Sequence, residues 1–272
     1  MTASKHHGTA LVTGASSGIG ALYADRLARR GYDLILVARN RERLEALAQP
    51  LARETGRTVD LVVADLTDRQ DIRRVEAVLH SDATITLLVN NAGVGSTAPL
   101  LQADIDTMED MIALNVTALT RLTYAAVPGF VARGRGTIVN IASIVGVAPE
   151  LLNGVYGGTK AFVLALSRSL RHELAGTGVR VQVVLPGAIA TEFWTIAGTP
   201  VEHLPRERVM SAEDLVDAAL AGLDQGEFVT IPALPDAADW DAFEAARRAL
   251  GPNLSRSTPA RRYTIDTKIQ AF

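Results

Sequence analysis

Short apolar runs recur along the chain, separated by longer amphipathic stretches. Residues 10–12, 34–37, 61–63, 85–89, 137–141, 179–185 and 228–231 are near-continuous in apolar character, as strands covered on both faces are. Between them, stretches such as 41–54 and 104–131 place apolar residues at helical spacing. Strands and helices in alternation predict an α/β fold: a single doubly wound parallel sheet of Rossmann type, about seven strands wide, with helices on both faces. No linker, low-complexity tract or internal repeat interrupts the series. Residues 9–250 are therefore read as one domain, preceded by a flexible polar N-terminus at 1–8 and followed by a polar tail at 251–272.

Two stretches break the rhythm. Residues 188–210 contain Pro200 and Pro205 and lack a clean period. A long irregular connection inside a compact domain is usually functional, so this one is a candidate substrate lid. Beyond Pro232 comes a helical stretch containing Trp240, and then the tail.

Composition narrows the field. The chain has 272 residues, 48% hydrophobic and 21% charged, with a net charge of -3 and no cysteine. Without a basic run, nucleic acid and anionic membrane are poor partners. The absence of cysteine excludes disulfides and thiolate chemistry, and fits a cytoplasmic location. No run of about 18 apolar residues is present, so no membrane span is expected. His80, His172 and His203 are scattered without ligand spacing, so no metal site is expected.

The first run leads into Gly14-Ala15-Ser16-Ser17-Gly18-Ile19-Gly20, ahead of a helix at 21–30. Such a turn lets backbone amides at a helix N-terminus approach a pyrophosphate. Taken alone, it is equally a tight strand exit or a methyltransferase-type loop, since its spacing is G-x-x-x-G-x-G. The end of the second run is more informative. An acidic residue there would favour a free ribose 2′-hydroxyl, but the chain reads Ala38-Arg39-Asn40. Arg39 offers a planar guanidinium suited to a 2′-phosphate. Arg41 and Arg43 are read as a solvated helix face. NADP(H) is thus favoured over NAD(H).

Tyr156 and Lys160 lie four apart at the start of an amphipathic helix, on one face. Carbonyl reduction needs a proton donor, and alcohol oxidation needs a base. A tyrosine pKa of ~10 is too high for a base near neutrality unless a nearby ammonium favours phenolate. Ser143 ends the fifth run, where strand carboxyl ends meet the ligand crevice; its hydroxyl can donate to a substrate oxygen. Asn90-Asn91-Ala92-Gly93 follows the fourth run as a strand exit. Asn115 sits mid-helix among Ile112, Leu114 and Val116, and a polar residue in such company needs hydrogen-bond partners.

Together with Thr13, Asp65-Leu66 and Pro186-Gly187, these motifs resemble the short-chain dehydrogenase/reductase family from about residue 9 to 191. Val37-Ala38-Arg39 resembles its NADP-preferring members, and Thr191-Glu192-Phe193-Trp194 resembles a bacterial-type branch. The resemblance implies that Tyr156 is the general acid/base and that Lys160 holds the ribose hydroxyls and lowers the tyrosine pKa. It implies that Ser143 orients the carbonyl and that Asn115 holds a water linking Lys160 to solvent. Gly14, Ser17 and Ile19 would line diphosphate and ribose, with Ser16, Gly18 and Gly20 completing the turn. Asp65 and Leu66 would flank the adenine, with Asn91 near its ribose and Ala92 and Gly93 beyond. Pro186, Gly187 and Ile189 would pack on nicotinamide, and Thr191 would bond its carboxamide or the diphosphate.

The expected activity is NADP(H)-dependent interconversion of a ketone or aldehyde and an alcohol by hydride transfer. Phe193 and Trp194 in the candidate lid suggest an apolar small-molecule substrate. The helix after Tyr156 carries apolar residues on two sides, Val163, Leu166 and Leu170 on one and Phe162 and Ala165 on the other. That pattern, like the resemblance, implies a homodimer or homotetramer. A non-catalytic cofactor-binding sensor and an epimerase or dehydratase on the same scaffold stay open. Gly157-Gly158 departs from the family pattern, and both glycines are read as serving close packing.

Overall fold

The computed structural model describes residues 6–263. The expectations for residues 1–5 and 264–272 lie outside the described residues. Near-continuous apolar runs form strands where expected: β1 (Thr9–Thr13), β2 (Asp33–Ala38), β3 (Val59–Val63), β4 (Ile85–Asn90), β5 (Gly136–Ile141) and β6 (Val179–Val184). Two pairs of residues, β7 (Ala188–Ile189) and β8 (Val209–Met210), form a separate parallel ladder, and β9 (Val229–Thr230) completes the main sheet. The seven-stranded sheet has the order β3-β2-β1-β4-β5-β6-β9 and is parallel at every pairing. The chain winds outward from β1 in both directions, so β1 and β4 mark the topological switch point where ligand crevices open.

Alternate strand residues feed two cores. Val12, Leu34 and Leu36 pack on one face with Tyr23 and Leu27 of α1 (Gly18–Arg29), Leu44 of α2 (Arg41–Thr55) and Leu220 of α8 (Ala212–Gln225). Leu11, Ile35, Leu88 and Ile138 pack on the other with Ile72 and Val75 of α3 (Arg69–Ser81) and Leu122 and Phe130 of α5 (Leu119–Ala132). Both faces are covered, which is why the strands read as continuous rather than alternating runs.

Three segments differ from the sequence-based reading. The helix expected over 104–131 is α4 (Ile105–Ile112), a π-helical turn (Ala113–Ala118) and α5. Such turns insert a residue into the helical ladder, which residue periodicity does not resolve. The start of the chain is pinned from His6 onward: His6 Nε2 lies 2.8 Å from Asp33 Oδ2, and Thr86 Oγ1 donates to His7 O at 2.8 Å. Residues 188–210 are structured, with β7 and β8 bracketing α7 (Phe193–Ala197) and short 3-10 turns.

The described residues divide into two compact units, with the boundary between Ala233 and Leu234. The second contains α9 (Ala237–Ala249), capped by the Asp236 carboxylate accepting from Ala238 N–H. Among the described residues no helix is long and apolar enough to cross a membrane.

Candidate active site

At the switch point the chain leaves β1 through glycines that a side chain would obstruct. Gly14 and Gly18 hold φ of +65° and +52°, a region that favours glycine. A Cβ on Gly20 would collide with Gly14 O, and one on Gly14 would lie 2.9 Å from Ala92 Cα. Backbone from β1, α1 and the exit of β4 therefore converges tightly enough to leave an open N-terminus on α1. Ser17 occupies its N-cap position with no side-chain capping bond, and Ser16 and Ile19 are half-buried beside it. Such an amide-lined cradle suits a diphosphate.

Two side chains lock the cradle. Thr13 Oγ1 donates to Val89 O at 3.2 Å and accepts from Asn91 N–H and Ala92 N–H, each at 3.0 Å. The Asn91 amide donates to Thr13 O at 2.9 Å and Gly14 O at 3.2 Å. Asn91 thus shapes the turn directly. Thr13 was legible only as a residue next to the glycine turn, because its three bonds join strands 76 residues and more apart.

On the β2 side, the Arg39 side chain is 73% exposed, and its closest acidic partner is Asp65 at 3.8 Å. Asp65 is engaged elsewhere, its Oδ1 accepting from Thr67 N–H and Oγ1. The guanidinium is therefore presented to solvent at the carboxyl end of β2. Leu66, next to Asp65 in the chain, is buried. Arg43 departs from the reading as a merely solvated residue. It pairs with Glu192, Nη1 to Oε2 at 2.7 Å and Nη2 to Oε1 at 3.4 Å.

Past β4 and β5 the polar groups are buried. Tyr156, Lys160, Ser143 and Asn115 are 6%, 6%, 7% and 2% exposed. Helix α6 (Gly154–Glu173) starts at Asn153, whose carboxamide oxygen accepts from Val155 and Tyr156 N–H. Lys160, one turn on, has Nζ 5.8 Å from the Tyr156 ring centroid and donates to Ile141 O at 2.9 Å. The Ser143 hydroxyl lies close enough to the Tyr156 phenol to favour its ionised form. Ser143 Oγ also donates to Pro186 O at 3.3 Å, where Ile144 N–H donates at 3.0 Å. Asn115 lies in the π-helical turn. It accepts from Val94 N–H at 2.9 Å and donates to Val94 O at 2.8 Å and Thr159 Oγ1 at 3.1 Å. Gly93 lets these groups meet, because a Cβ there would lie 3.0 Å from Asn115 Oδ1 and 3.5 Å from Lys160 Nζ.

Burial dominates the ionisation of this pair in the protein by itself. The Tyr156 phenol is pushed up to about 12 by desolvation, partly opposed by the neighbouring Ser143 hydroxyl. The Lys160 ammonium is pushed down to about 8 by desolvation. Desolvation is the leading cause at both groups, because a buried phenolate and a buried ammonium each lose hydration. The folded protein releases the Lys160 proton before the unfolded chain does, so stability rises as pH climbs from about 8 towards the ordinary lysine value. Lys160→Met should therefore be more stable than wild type near neutrality by up to about 3 kcal/mol. Denaturant titration should show that advantage shrinking above pH 8; a constant difference would contradict the assignment.

The segment after β6 closes the site. Gly187 is open apart from Ile144 Cδ1, and Ile189 is buried in β7. Thr191 reaches the glycine turn, its Cγ2 3.3 Å from where a Gly18 Cβ would stand. Phe193 packs on Tyr156 with ring centroids 5.7 Å apart, and a Cβ on Gly95 would strike its ring. Trp194 turns inward, its indole N–H donating to Ile189 O at 3.0 Å, and so anchors α7. Gly95 and Asn153 belong to the site although no sequence motif marks them.

The adjoining glycines of α6 separate in function. A Cβ on Gly157 would lie 2.8 Å from Pro149 Cβ, whereas one on Gly158 meets nothing within 4 Å. Packing explains Gly157 but not Gly158. Gly158→Ala should gain about 0.5–1 kcal/mol in helix stability, and Gly157→Ala should lose stability. Thermal unfolding of the two variants checks the contrast, and equal shifts would contradict it.

Comparison with known proteins agrees with this geometry. Residues 8–199 match the family model described as short chain dehydrogenase. An uncharacterized oxidoreductase of Staphylococcus epidermidis is 33% identical over 223 residues, covering 82% of this chain and 93% of that one. A short-chain dehydrogenase from Sphingobium yanoikuyae, solved in complex with NADPH, is 51% identical with a TM-score of 0.92, over 94% of this chain and all of that one. The bulky-bulky ketone specific alcohol dehydrogenase from Comamonas testosteroni is 44% identical with a TM-score of 0.89, over 96% and 100% of the two chains. With its glycine cradle, its Ser143–Tyr156–Lys160 group and a family match over most of its length, this chain belongs to the short-chain dehydrogenase family.

Proposed function

We propose that this chain is a cytoplasmic, homo-oligomeric NADP(H)-dependent reductase of ketones or aldehydes with apolar substituents, with Tyr156 as proton donor. The carrying observation is a buried phenol beside Ser143 and flanked by Lys160, next to a cradle that side chains would fill. The cradle fits a dinucleotide, and the exposed Arg39 fits a 2′-phosphate. NADPH in the Sphingobium relative supports the same choice.

Bound NADPH supplies the hydride for such a reduction; the chain supplies the rest. Gly14, Ser16, Ser17, Gly18, Ile19 and Gly20 would receive the diphosphate, and Leu66, Asn91 and Ala92 the adenosine. Pro186, Gly187, Ile189 and Thr191 would bound the nicotinamide side. Turning its hydroxyl hydrogen from Pro186 O, Ser143 would donate to the substrate carbonyl oxygen alongside Tyr156, stabilising charge as it develops there. Tyr156 then transfers its phenolic proton to that oxygen. At neutral pH the phenol is in its protonated form, the form that reduction requires of a proton donor. Asn115 and Lys160, meeting at Gly93, are placed to return the proton through a bridging water.

Apolar rim residues support the substrate class. Leu101, Leu151 and Ile196 are 97%, 56% and 68% exposed. Their segments are tied together: Thr97 N–H donates to Ala197 O at 2.9 Å, and the Asn153 amide donates to Ala98 O at 2.7 Å. With Phe193 inside, the mouth offers apolar surface for a ketone flanked by two large groups, as named for the Comamonas relative. NADPH oxidation with a panel of diaryl ketones, small aliphatic ketones and keto acids tests this. Stoichiometric consumption with the large apolar members is expected. Turnover confined to the keto acids would contradict the substrate class.

For assembly, Tyr124 on α5 and Phe162 on α6 are 66% and 38% exposed, while Val163 and Leu170 are buried. Large outward apolar side chains on adjacent helices suit a symmetric interface. Native mass measurement should show a dimer or tetramer that Tyr124→Asp with Phe162→Asp shifts to smaller species. A wild-type monomer would contradict the proposal.

A further inference from the structure

The chain leaving β6 crosses the carboxyl edge of the sheet. Between β6 and β2 in the sheet lie β5, β4 and β1, yet Thr191 touches the glycine turn and Glu192 pairs with Arg43 at the start of α2. Residues 185–192 therefore bridge the crevice at the switch point, with the Arg43–Glu192 pair as the far tether. The pair joins residues 149 apart in sequence and fastens the start of α7 to the β2–α2 side. Directly after Glu192 comes Phe193, whose ring covers Tyr156. A dinucleotide extending from Arg39 through the glycine cradle to Tyr156 would run beneath this bridge.

We propose that the Arg43–Glu192 ion pair is a strap over the cofactor crevice, which retains bound dinucleotide and positions Phe193 over Tyr156. This rests on the cofactor reading above. Glu192 acts through Arg43 and α7 rather than on reacting atoms, so it is a positioning residue. Both side chains are half exposed, 51% and 60%, so the strap is weak enough to open in each turnover and is screened by salt. The nearby Arg41 pairs instead with Glu45 on its own helix, at 3.6 Å.

The test measures release of NADPH and of NADH by stopped-flow displacement, together with amide exchange of residues 193–197 in the nucleotide-free protein. Glu192→Gln and Arg43→Gln should each speed release of both nucleotides about two- to five-fold. The exchange swap, Arg43→Glu with Glu192→Arg, should restore slow release of NADH. High salt should bring wild type towards the Glu192→Gln rate and leave that variant little changed. Exchange at 193–197 should rise in Glu192→Gln. Slower NADPH release in Glu192→Gln with faster release in Arg43→Gln would overturn the strap, because Arg43 would then be a phosphate ligand for which Glu192 competes. Unchanged release and exchange in both variants would overturn it as well. If neither nucleotide binds, the cofactor reading fails, and unchanged exchange at 193–197 then removes the strap too, whereas raised exchange upholds the tether.

Discussion

Tyr156→Phe is expected to lower kcat by about 10²–10⁴-fold while leaving NADPH affinity close to wild type. The substitution removes one oxygen from a ring that is otherwise fixed by packing. Tyr156 is buried with Met108, Met111 and Val145, and Phe193 packs on it with its ring tilted by 44°. Phe keeps the ring that packs here, so it should occupy the same place. What disappears is the hydroxyl proposed as proton donor. Loss confined to turnover, with nucleotide binding preserved by fluorescence titration, is the predicted signature. Retained turnover would show that the proton comes from elsewhere. Ser143→Ala should fall in the same direction but less far, since the phenol stays in place.

Arg39→Asp is expected to raise the KM for NADPH by about 100-fold or more and to improve NADH, reversing the preference. A hydrogen bond to a charged group contributes about 1.5–3 kcal/mol, and each 1.4 kcal/mol is tenfold. The carboxylate adds repulsion towards a 2′-phosphate and an acceptor for a free 2′-hydroxyl. The native guanidinium is exposed, with only a 3.8 Å approach to Asp65, so folding should be little affected. Steady-state kinetics with both nucleotides decides the matter: equal losses with NADPH and NADH would remove Arg39 from the phosphate site.

The sheet was legible because its strands are buried on both faces. Runs such as Leu34–Val37 and Ile85–Val89 leave no competing amphipathic reading. The α/β alternation then restricts topology to a right-handed parallel sheet. The glycine turn, Ser143, Tyr156 and Lys160 were legible because each sits at a strand end or in the first turns of a helix. Sequence spacing fixes their placement relative to the carboxyl edge.

Three things were hidden, each for a physical reason. The π-helical turn at Asn115 adds a residue to one helical ladder without changing its composition. The roles of Thr13, Gly95 and Arg43 depend on partners 76, 98 and 149 residues away, and no local pattern encodes such pairs. The order in residues 188–210 comes from a two-residue ladder and the Trp194–Ile189 bond, both too short for periodicity to detect. Trp194 illustrates the limit: it reads as a lid residue of the same kind as Phe193, yet it faces inward and holds the helix in place.

The central claim is reduction of a carbonyl at Tyr156 with NADPH as reductant. Turnover of a diaryl ketone in the presence of nicotinamide labelled with deuterium at C4, each face in turn, tests it most directly by mass spectrometry of the product. With one of the two labelled forms, the alcohol should carry a single deuterium at the carbinol carbon, one alcohol formed per cofactor oxidised. Product formed without deuterium from either form, or without net cofactor oxidation, would contradict it.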